Sequence, residues 1–309
     1  MTADLYLPIN DVWQYLRDEI GYWALQSNST LAFQYDFVIN ALICAVFIGP
    51  LLGALGSMVV VKRMAFFSQA VGNAALTGVA IGVMLGESNT SPYVSMFGFC
   101  LIFGILLKFT QHRSSLSNDT LIGVFLSISL AVGASLLLFV SAKINTHIME
   151  AVLFGSVLTV DDTDINILIV VAIACAAIGL PLFNKTMLAS LNPSLAAARG
   201  VKVKTLDYVF VIMITVVTVA CVKIVGAVLV EALLLIPAAA ARNVSRSIKG
   251  FVWGAIGFST LSCIAGIILP MQFDIPVPSG GAIILCSAIF FLITIVARAI
   301  FPQFRTARL

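Results

Sequence analysis

Long apolar segments separated by short polar stretches run along the chain from about residue 36 to residue 300. A membrane-spanning helix needs about 20 mostly apolar residues, and a search with windows of that length finds nine such segments. They lie at 36–61, 64–85, 92–109, 121–141, 165–183, 206–222, 227–241, 251–269 and 280–300. The seventh is the shortest, so its merger with a neighbour would leave eight spans. The pattern predicts an all-α polytopic membrane protein with about nine transmembrane helices.

The composition supports a lipid environment. Of the 309 residues, 61% are hydrophobic and only 10% are charged, whereas a soluble domain carries roughly 25% charged residues. A water-soluble globule is therefore excluded. Six cysteines occur singly, without the paired spacing of a metal or redox site, so we expect them to act as small core side chains. Glycines four residues apart are expected to let helices pack closely, and they are Gly49 with Gly53, and Gly78 with Gly82 and Gly86.

Basic residues fall mostly on one side of the predicted spans. Loops rich in lysine and arginine stay in the cytoplasm. If the loop after the first span is cytoplasmic, only Arg17, Lys143 and Lys223 lie on the outer side. With nine spans, this places the N-terminus outside and the C-terminus in the cytoplasm.

Residues 1–34 precede the first span and have an amphipathic pattern. Apolar side chains recur there at helical spacing, opposite polar ones. The apolar set is Val12, Trp13, Leu16, Ile20 and Trp23, and the polar set is Asp11, Arg17 and Asp18. We expect a helix on the outer membrane interface that braces the fold, or alternatively contacts an external partner. Residues 35–309 form a single transmembrane domain.

The polar loop at 184–204 contains the signals of a short helix. An asparagine followed by proline starts helices, and a glycine ends them. The helix would comprise Asn192, Pro193, Ser194, Leu195, Ala196, Ala197, Ala198, Arg199 and Gly200, counted from its cap to its stop. Such a rod on the cytoplasmic side can dock in a groove of a partner protein, and a plain connection between spans is the alternative.

Two apolar segments resemble signature segments of a known family. They are MAFFSQAVGNAALTGVAIG at 64–82 and VGAVLVEALLLIPAAAAR at 225–242. Further matches are VVVKRM at 59–64, LFGSVLTV at 153–160, the loop LNPSLAAARGVKVKTLDY and the turn IPVPSGGAI at 275–283. In this order they resemble the permease subunits of zinc- and manganese-type ABC importers, over about 270 residues.

The resemblance implies a division of labour among subunits. The permease pairs with a second permease copy, receives cargo from an extracytoplasmic substrate-binding protein, and is driven by cytoplasmic ABC ATPases. In that family the loop at 192–200 is the coupling helix that seats in the ATPase. The chain has no GxxxxGK[ST] phosphate loop, so we expect no enzyme activity and no bound cofactor, and ATP is used by the partner. We expect the bacterial inner membrane as its location, lipid as its surroundings and no nucleic-acid partner.

One departure from the family concerns its metal-handling pair. The family carries an aspartate and a histidine four residues apart, followed by proline and glycine. Here these positions are Gln69, Asn73, Thr77 and Gly78. Spacing of four residues keeps Gln69 and Asn73 on one helix face, but amide oxygens are neutral, weak ligands for a divalent ion.

The amide pair leaves three explanations open. The ion passes more hydrated, it gains a charge partner elsewhere, or the cargo is not a bare divalent cation. A purely structural alternative is that Gln69 and Asn73 hydrogen-bond a neighbouring helix.

Charged residues elsewhere in the chain could supply the negative charge that the amide pair lacks. Glu231 lies within the short seventh span, where a carboxylate marks a pathway, unless it is protonated or near the outer interface. Asp36, His147 and Glu150 could gather cations at an outer entrance. Solvated loop charge is the simpler interpretation of the outer histidine and acids, including Asp161, Asp162 and Asp164.

The expected function is ATP-driven import of a divalent transition metal, namely Mn, Zn or Fe, by alternating access. An ABC permease for a chelated metal or small organic solute is one alternative. An ion-driven secondary transporter is another, although such proteins usually show inverted repeats and several intramembrane charges.

Overall fold

The computed structural model describes residues 36–87, 92–141, 160–273 and 279–300, together with Trp13, Tyr15 and Glu19. Within these ranges the chain is helical and forms no strand. The helices are α1 (Asp36–Lys62), α2 (Phe67–Met84), α3 (Tyr93–Arg113), α4 (Asn118–Ser141), α5 (Asp162–Leu191), α6 (Pro193–Ala198), α7 (Val203–Val225), α8 (Ala227–Val244), α9 (Ile248–Gln272) and α10 (Ser279–Ile300).

All of these helices except the six-residue α6 are long and apolar enough to cross a membrane, which gives nine candidate spans in the described ranges. The predicted all-α fold with nine spans is confirmed. The alternative of eight spans is wrong, because α7 and α8 remain separate helices. Gly226 divides them with φ 85°, a backbone conformation that glycine adopts without steric cost.

Close helix crossings depend on glycine at most of the predicted positions. A Cβ atom on Gly53 would lie 2.7 Å from the carbonyl oxygen of Ala255 on α9, and one on Gly78 would lie 2.8 Å from the Cα of Met96 on α3. Gly49 and Gly82 are equally crowded. Gly86 is different, because nothing lies within 4 Å of its Cβ position and its φ of 82° serves the turn after α2.

Burial differs greatly between the spans. In α2, 78% of the apolar window is buried, against 17% in α10. The second span is therefore an inner helix, packed against α3, α4, α7 and α8, and the last span lies at the periphery. Any polar side chain on α2 sits among other helices rather than in lipid.

Candidate substrate pathway and coupling helix

The amide pair on α2 lies at the middle of its neighbouring spans. The Ser129 hydroxyl, near the midpoint of α4, donates to the carbonyl oxygen of Ala70 at 3.3 Å. The thiol of Cys100, in the first half of α3, lies 3.7 Å from the carbonyl oxygen of Val71. Both contacts fall between Gln69 and Asn73, so the pair occupies a mid-depth level of the bundle.

The two amide side chains differ in exposure, and neither has a hydrogen-bond partner among the described residues. Gln69 is half-buried, and Asn73 is 9% exposed. Neither side chain hydrogen-bonds to another residue within the described ranges, so the structural alternative of a bond to a neighbouring helix is not observed. One turn further along α2, the Thr77 hydroxyl is 1% exposed and also has no partner there. These three positions form a polar strip along α2.

Glu231 reaches the same level from another helix. A Cβ atom on Gly72 would lie 3.1 Å from the Cβ of Ala227, which fixes the register of α2 against α8. These two spans run in opposite directions, so Glu231, one turn into α8, lies opposite Ser68 and next to the level of Gln69. Glu231 is half-buried beside Val228, which is 46% exposed. This register places Glu231 near the beginning of α2, and its role stays a prediction.

No preformed metal centre accompanies this strip. Among the described residues, no group of three or more histidine, cysteine, aspartate or glutamate side chains could hold a metal ion. All six cysteines are free; five are buried and Cys286 is half-buried, as expected of small core side chains. A divalent ion at this level would meet one carboxylate and neutral oxygens.

The outer-entrance candidates are mostly outside the described residues. His147 and Glu150 lie in the range 142–159, and the side chain of Asp36, the first residue of α1, is likewise outside. Their role stays a prediction.

A buried ion pair that the sequence analysis missed lies at the beginnings of α3 and α5 and the end of α7. Lys223 Nζ is 2.7 Å from Asp164 Oδ1, and the Tyr93 hydroxyl donates to the same carboxylate oxygen. The ammonium also lies 4.3 Å from the centre of the Tyr93 ring, a cation–π geometry. Asp164 is 6% exposed, so its interpretation as solvated loop charge is wrong. The isolated Lys223 on the acidic outer side was the available signal.

Trp13 is one of three described residues from the N-terminal segment, and all three are helical. Its indole Nε1 donates to Asn166 Oδ1 on α5 at 2.9 Å, and its ring packs against the main apolar core. Asn166 lies two residues after Asp164 in the chain. The remaining residues of the segment lie outside the described ranges.

The helix predicted after α5 is present as α6. The Asn192 side chain accepts a hydrogen bond from the Leu195 amide at 3.1 Å and from the Ser194 hydroxyl at 2.7 Å. Pro193 is the first helical residue. At the other end, Gly200 has φ 75° and its amide donates to the Ala197 carbonyl at 2.9 Å.

Only one side of α6 is held by the bundle. Ala196 is completely buried against Ala189 and Leu206, whereas every other residue from Asn192 to Gly200 is exposed. Leu195 leaves 43% of its surface uncovered. The helix is thus fixed through one methyl group and presents a stiff, mostly uncharged face to its surroundings.

Nine spans, a polar strip at mid-depth and a rigid exposed helix at one end of the bundle define a multi-pass membrane protein built for transport. Residues 34–298 match the ABC 3 transport family, and the chain belongs to that family. This match covers the spans, the polar strip and α6.

Three similar proteins illustrate the relationship. The manganese import system permease protein ScaB of Streptococcus parasanguinis is 33% identical over 261 residues, covering 84% of this chain and 90% of that protein. The high-affinity zinc uptake system membrane protein ZnuB of Haemophilus influenzae is 29% identical over 264 residues, covering 85% and 98%. A solved structure, PsaBC from Streptococcus pneumoniae in complex with Fab, superposes with a TM-score of 0.74 at 29% identity, covering 88% and 94%.

Proposed function

We propose that this chain is the permease subunit of an ATP-driven importer for a divalent transition metal ion in a bacterial inner membrane. The observation that carries the proposal is the colinear similarity to a manganese permease over 84% of the chain. The N-terminus lies outside and the C-terminus in the cytoplasm, as the distribution of basic residues favours. An extracytoplasmic binding protein delivers the cargo.

The pathway runs past Gln69, Asn73 and Glu231. Polar side chains at the middle of a span are costly in lipid and normally face a protein interface or an aqueous cavity. Gln69 and Glu231 are half-buried within one subunit, which leaves their remaining surface for the interface with a second permease. Cargo then passes between the two permeases as they alternate between outward and inward access.

The motor acts through α6. Its exposed face from Ser194 to Arg199 fits a groove of a cytoplasmic ABC ATPase, and its anchor at Ala196 transmits motion to α5 and α7, which supply Ala189 and Leu206. Because α6 is short and capped at both ends, it moves as a rigid unit. This chain itself supplies no ATP chemistry.

The cargo crosses the polar strip with part of its water shell. Amide oxygens replace less hydration energy than a carboxylate and an imidazole do, and Glu231 supplies the nearby negative charge. Selection of the metal then resides mainly in the binding protein. The same weak ligand set also favours a second candidate, a metal that crosses as a chelate.

Transport in proteoliposomes tests this proposal. The permease is reconstituted with its ATPase and binding protein, and uptake of radioactive manganese is measured with ATP, in competition with free zinc or with a metal chelate. We expect ATP-dependent manganese uptake that free divalent ions reduce. Uptake of an intact chelate without uptake of the free ion would overturn the free-ion assignment and favour the second candidate.

A further inference from the structure

A large cavity opens at the end of the bundle that carries α6. Its volume is about 670 Å³, and its walls come from the ends of α1, α5 and α8, the beginnings of α4, α7 and α9, and one residue of α3. The cavity touches α6 only at Pro193 and not at the exposed residues that follow. It is therefore separate from the face assigned to the ATPase.

Basic groups dominate the charged residues of this cavity. Lys62, Arg63, Lys108 and Arg242 line it, together with a single carboxylate, Asp207. Arg63 and Arg242 form no ion pair with any residue in the described ranges. Arg63 also has φ 53°, the one positive value outside glycine in those ranges, and this tight turn between α1 and α2 holds it in the wall.

The recessed part of the cavity has an excess of one positive charge. Lys62 Nζ lies 2.5 Å and Lys108 Nζ 3.5 Å from the two oxygens of Asp207. The two lysine side chains are 8% and 10% exposed and the aspartate is 19% exposed. Two ammonium groups thus share one carboxylate away from bulk water, where an unbalanced charge is costly. One further anionic group would complete the balance.

The rim of the cavity carries exposed apolar side chains beside polar ones, which include Arg63 and Arg242. Leu191 is 53% exposed and Ile248 is 38% exposed, and both line the opening beside Phe251. The lysines lie towards the ends of membrane-spanning helices, because Lys62 is the last residue of α1 and Lys108 lies five residues before the end of α3. Buried cations beside exposed apolar side chains match the boundary between headgroups and acyl chains.

We propose that this cavity binds the phosphodiester headgroup of an anionic phospholipid such as phosphatidylglycerol. The single negative charge of the phosphodiester balances the recessed lysine pair, with Arg242 as a further donor at the opening. The glycerol backbone and the first acyl carbons rest on Leu191 and Ile248. Basic pockets between the ends of transmembrane helices are a recurrent setting for such headgroups.

A lipid fits the cavity better than a free anion or a protein side chain. Inorganic phosphate uses the charges but leaves the apolar side chains of the rim exposed to water. An acidic side chain of an ATPase would use the charges but would leave Leu191 and Ile248 without an apolar partner. The phospholipid alone uses both the charge and the apolar surface.

Thermal unfolding of the purified full-length chain in detergent tests the proposal. Dioleoylphosphatidylglycerol, dioleoylphosphatidylcholine and inorganic phosphate are titrated separately, and the shift in Tm is followed, because a ligand that binds the folded state stabilises it. We compare the wild type with Lys108→Gln and with Arg242→Gln. Arg242 is exposed, so the second variant removes a cavity charge without disturbing the ion pair. The control is Arg298→Gln, which removes an exposed cation in the last turn of α10, outside the cavity.

We expect phosphatidylglycerol, and not phosphatidylcholine or phosphate, to raise the Tm. Each cavity variant should raise the lipid concentration needed for half saturation about fivefold. Arg298→Gln should keep the wild-type value. Equal effects of the three ligands, or an equal loss in Arg298→Gln, would overturn the proposal. Wild-type lipid binding in both cavity variants would overturn it as well.

Discussion

At the residue scale, the proposed pathway depends on a few polar side chains of α2. Gln69 and Asn73 sit at mid-depth without hydrogen-bond partners in the described ranges, and Glu231 approaches their level from α8. A helix that is otherwise buried gains nothing in stability from such unpaired groups. Under the proposed function, these groups contact the cargo and its water.

Replacing Gln69 or Asn73 by leucine should reduce transport about fivefold or more, because each change removes one polar contact worth about 1 kcal/mol. Uptake and subunit assembly are measured together, so that a loss of transport can be separated from a loss of folding. Ile81→Leu, on the same helix, serves as the control. Unchanged uptake in both leucine variants would remove the pair from the pathway.

The double change Gln69→Asp with Asn73→His should make transport more dependent on metal identity. A carboxylate and an imidazole four residues apart form a stronger ligand pair for Zn²⁺ or Mn²⁺ than two amides do. Competition between the two ions for uptake provides the measurement. A double variant with the selectivity of the wild type would show that cargo does not contact these positions.

The buried pair Asp164–Lys223 should be essential for stability. Removing one partner breaks a buried ion pair, which costs about 3–5 kcal/mol. Thermal unfolding in detergent should therefore show a large loss for Lys223→Met and for Asp164→Asn, and a smaller loss for the double variant than the sum of the two. Full additivity of the two losses would mean that the contact carries no coupling energy.

At the element scale, the proposed coupling role of α6 depends on its caps at both ends and on its buried side chain, Ala196. Ala197→Pro should break it, since a proline there removes an amide hydrogen and its ring clashes with the preceding turn. We expect ATP hydrolysis to continue while uptake falls, measured as the ratio of the two rates. Ala197→Ser is the control, and normal coupling in the proline variant would contradict the assigned role.

The close crossing of α1 and α8 at Gly56 can be tested by substitution. A Cβ atom there would overlap the carbonyl oxygen of Leu234 on α8, so Gly56→Ala should push α1 and α8 apart. The expected cost is about 1–3 kcal/mol, measured by thermal unfolding. Gly257→Ala is the matched control, because nothing lies within 4 Å of its Cβ position. Equal stability of the two variants would refute the close crossing.

At the scale of the whole molecule, hydropathy predicts the spans well because each must be apolar over a fixed length. The sequence also contains the cap, proline and glycine that bound α6, since these signals are local. It does not contain the depth of Gln69 or the pairing of Asp164 with Lys223. Both depend on which helices pack together, and residues far apart in the chain determine that.

The cavity at the end of the bundle also depends on helix packing and could not be predicted from the sequence. Its cations were assigned to the cytoplasmic side as a group, but the sharing of Asp207 by Lys62 and Lys108 arises only when α1, α3 and α7 meet. A count of basic residues predicts their side of the membrane. It says nothing about which of them are recessed.

The most direct test of the central claim is solute uptake by proteoliposomes containing the permease with or without its ATPase. The account predicts uptake only when the ATPase and ATP are both present, with no need for an ion gradient. Steady uptake by the permease alone, driven by an ion gradient, would contradict it.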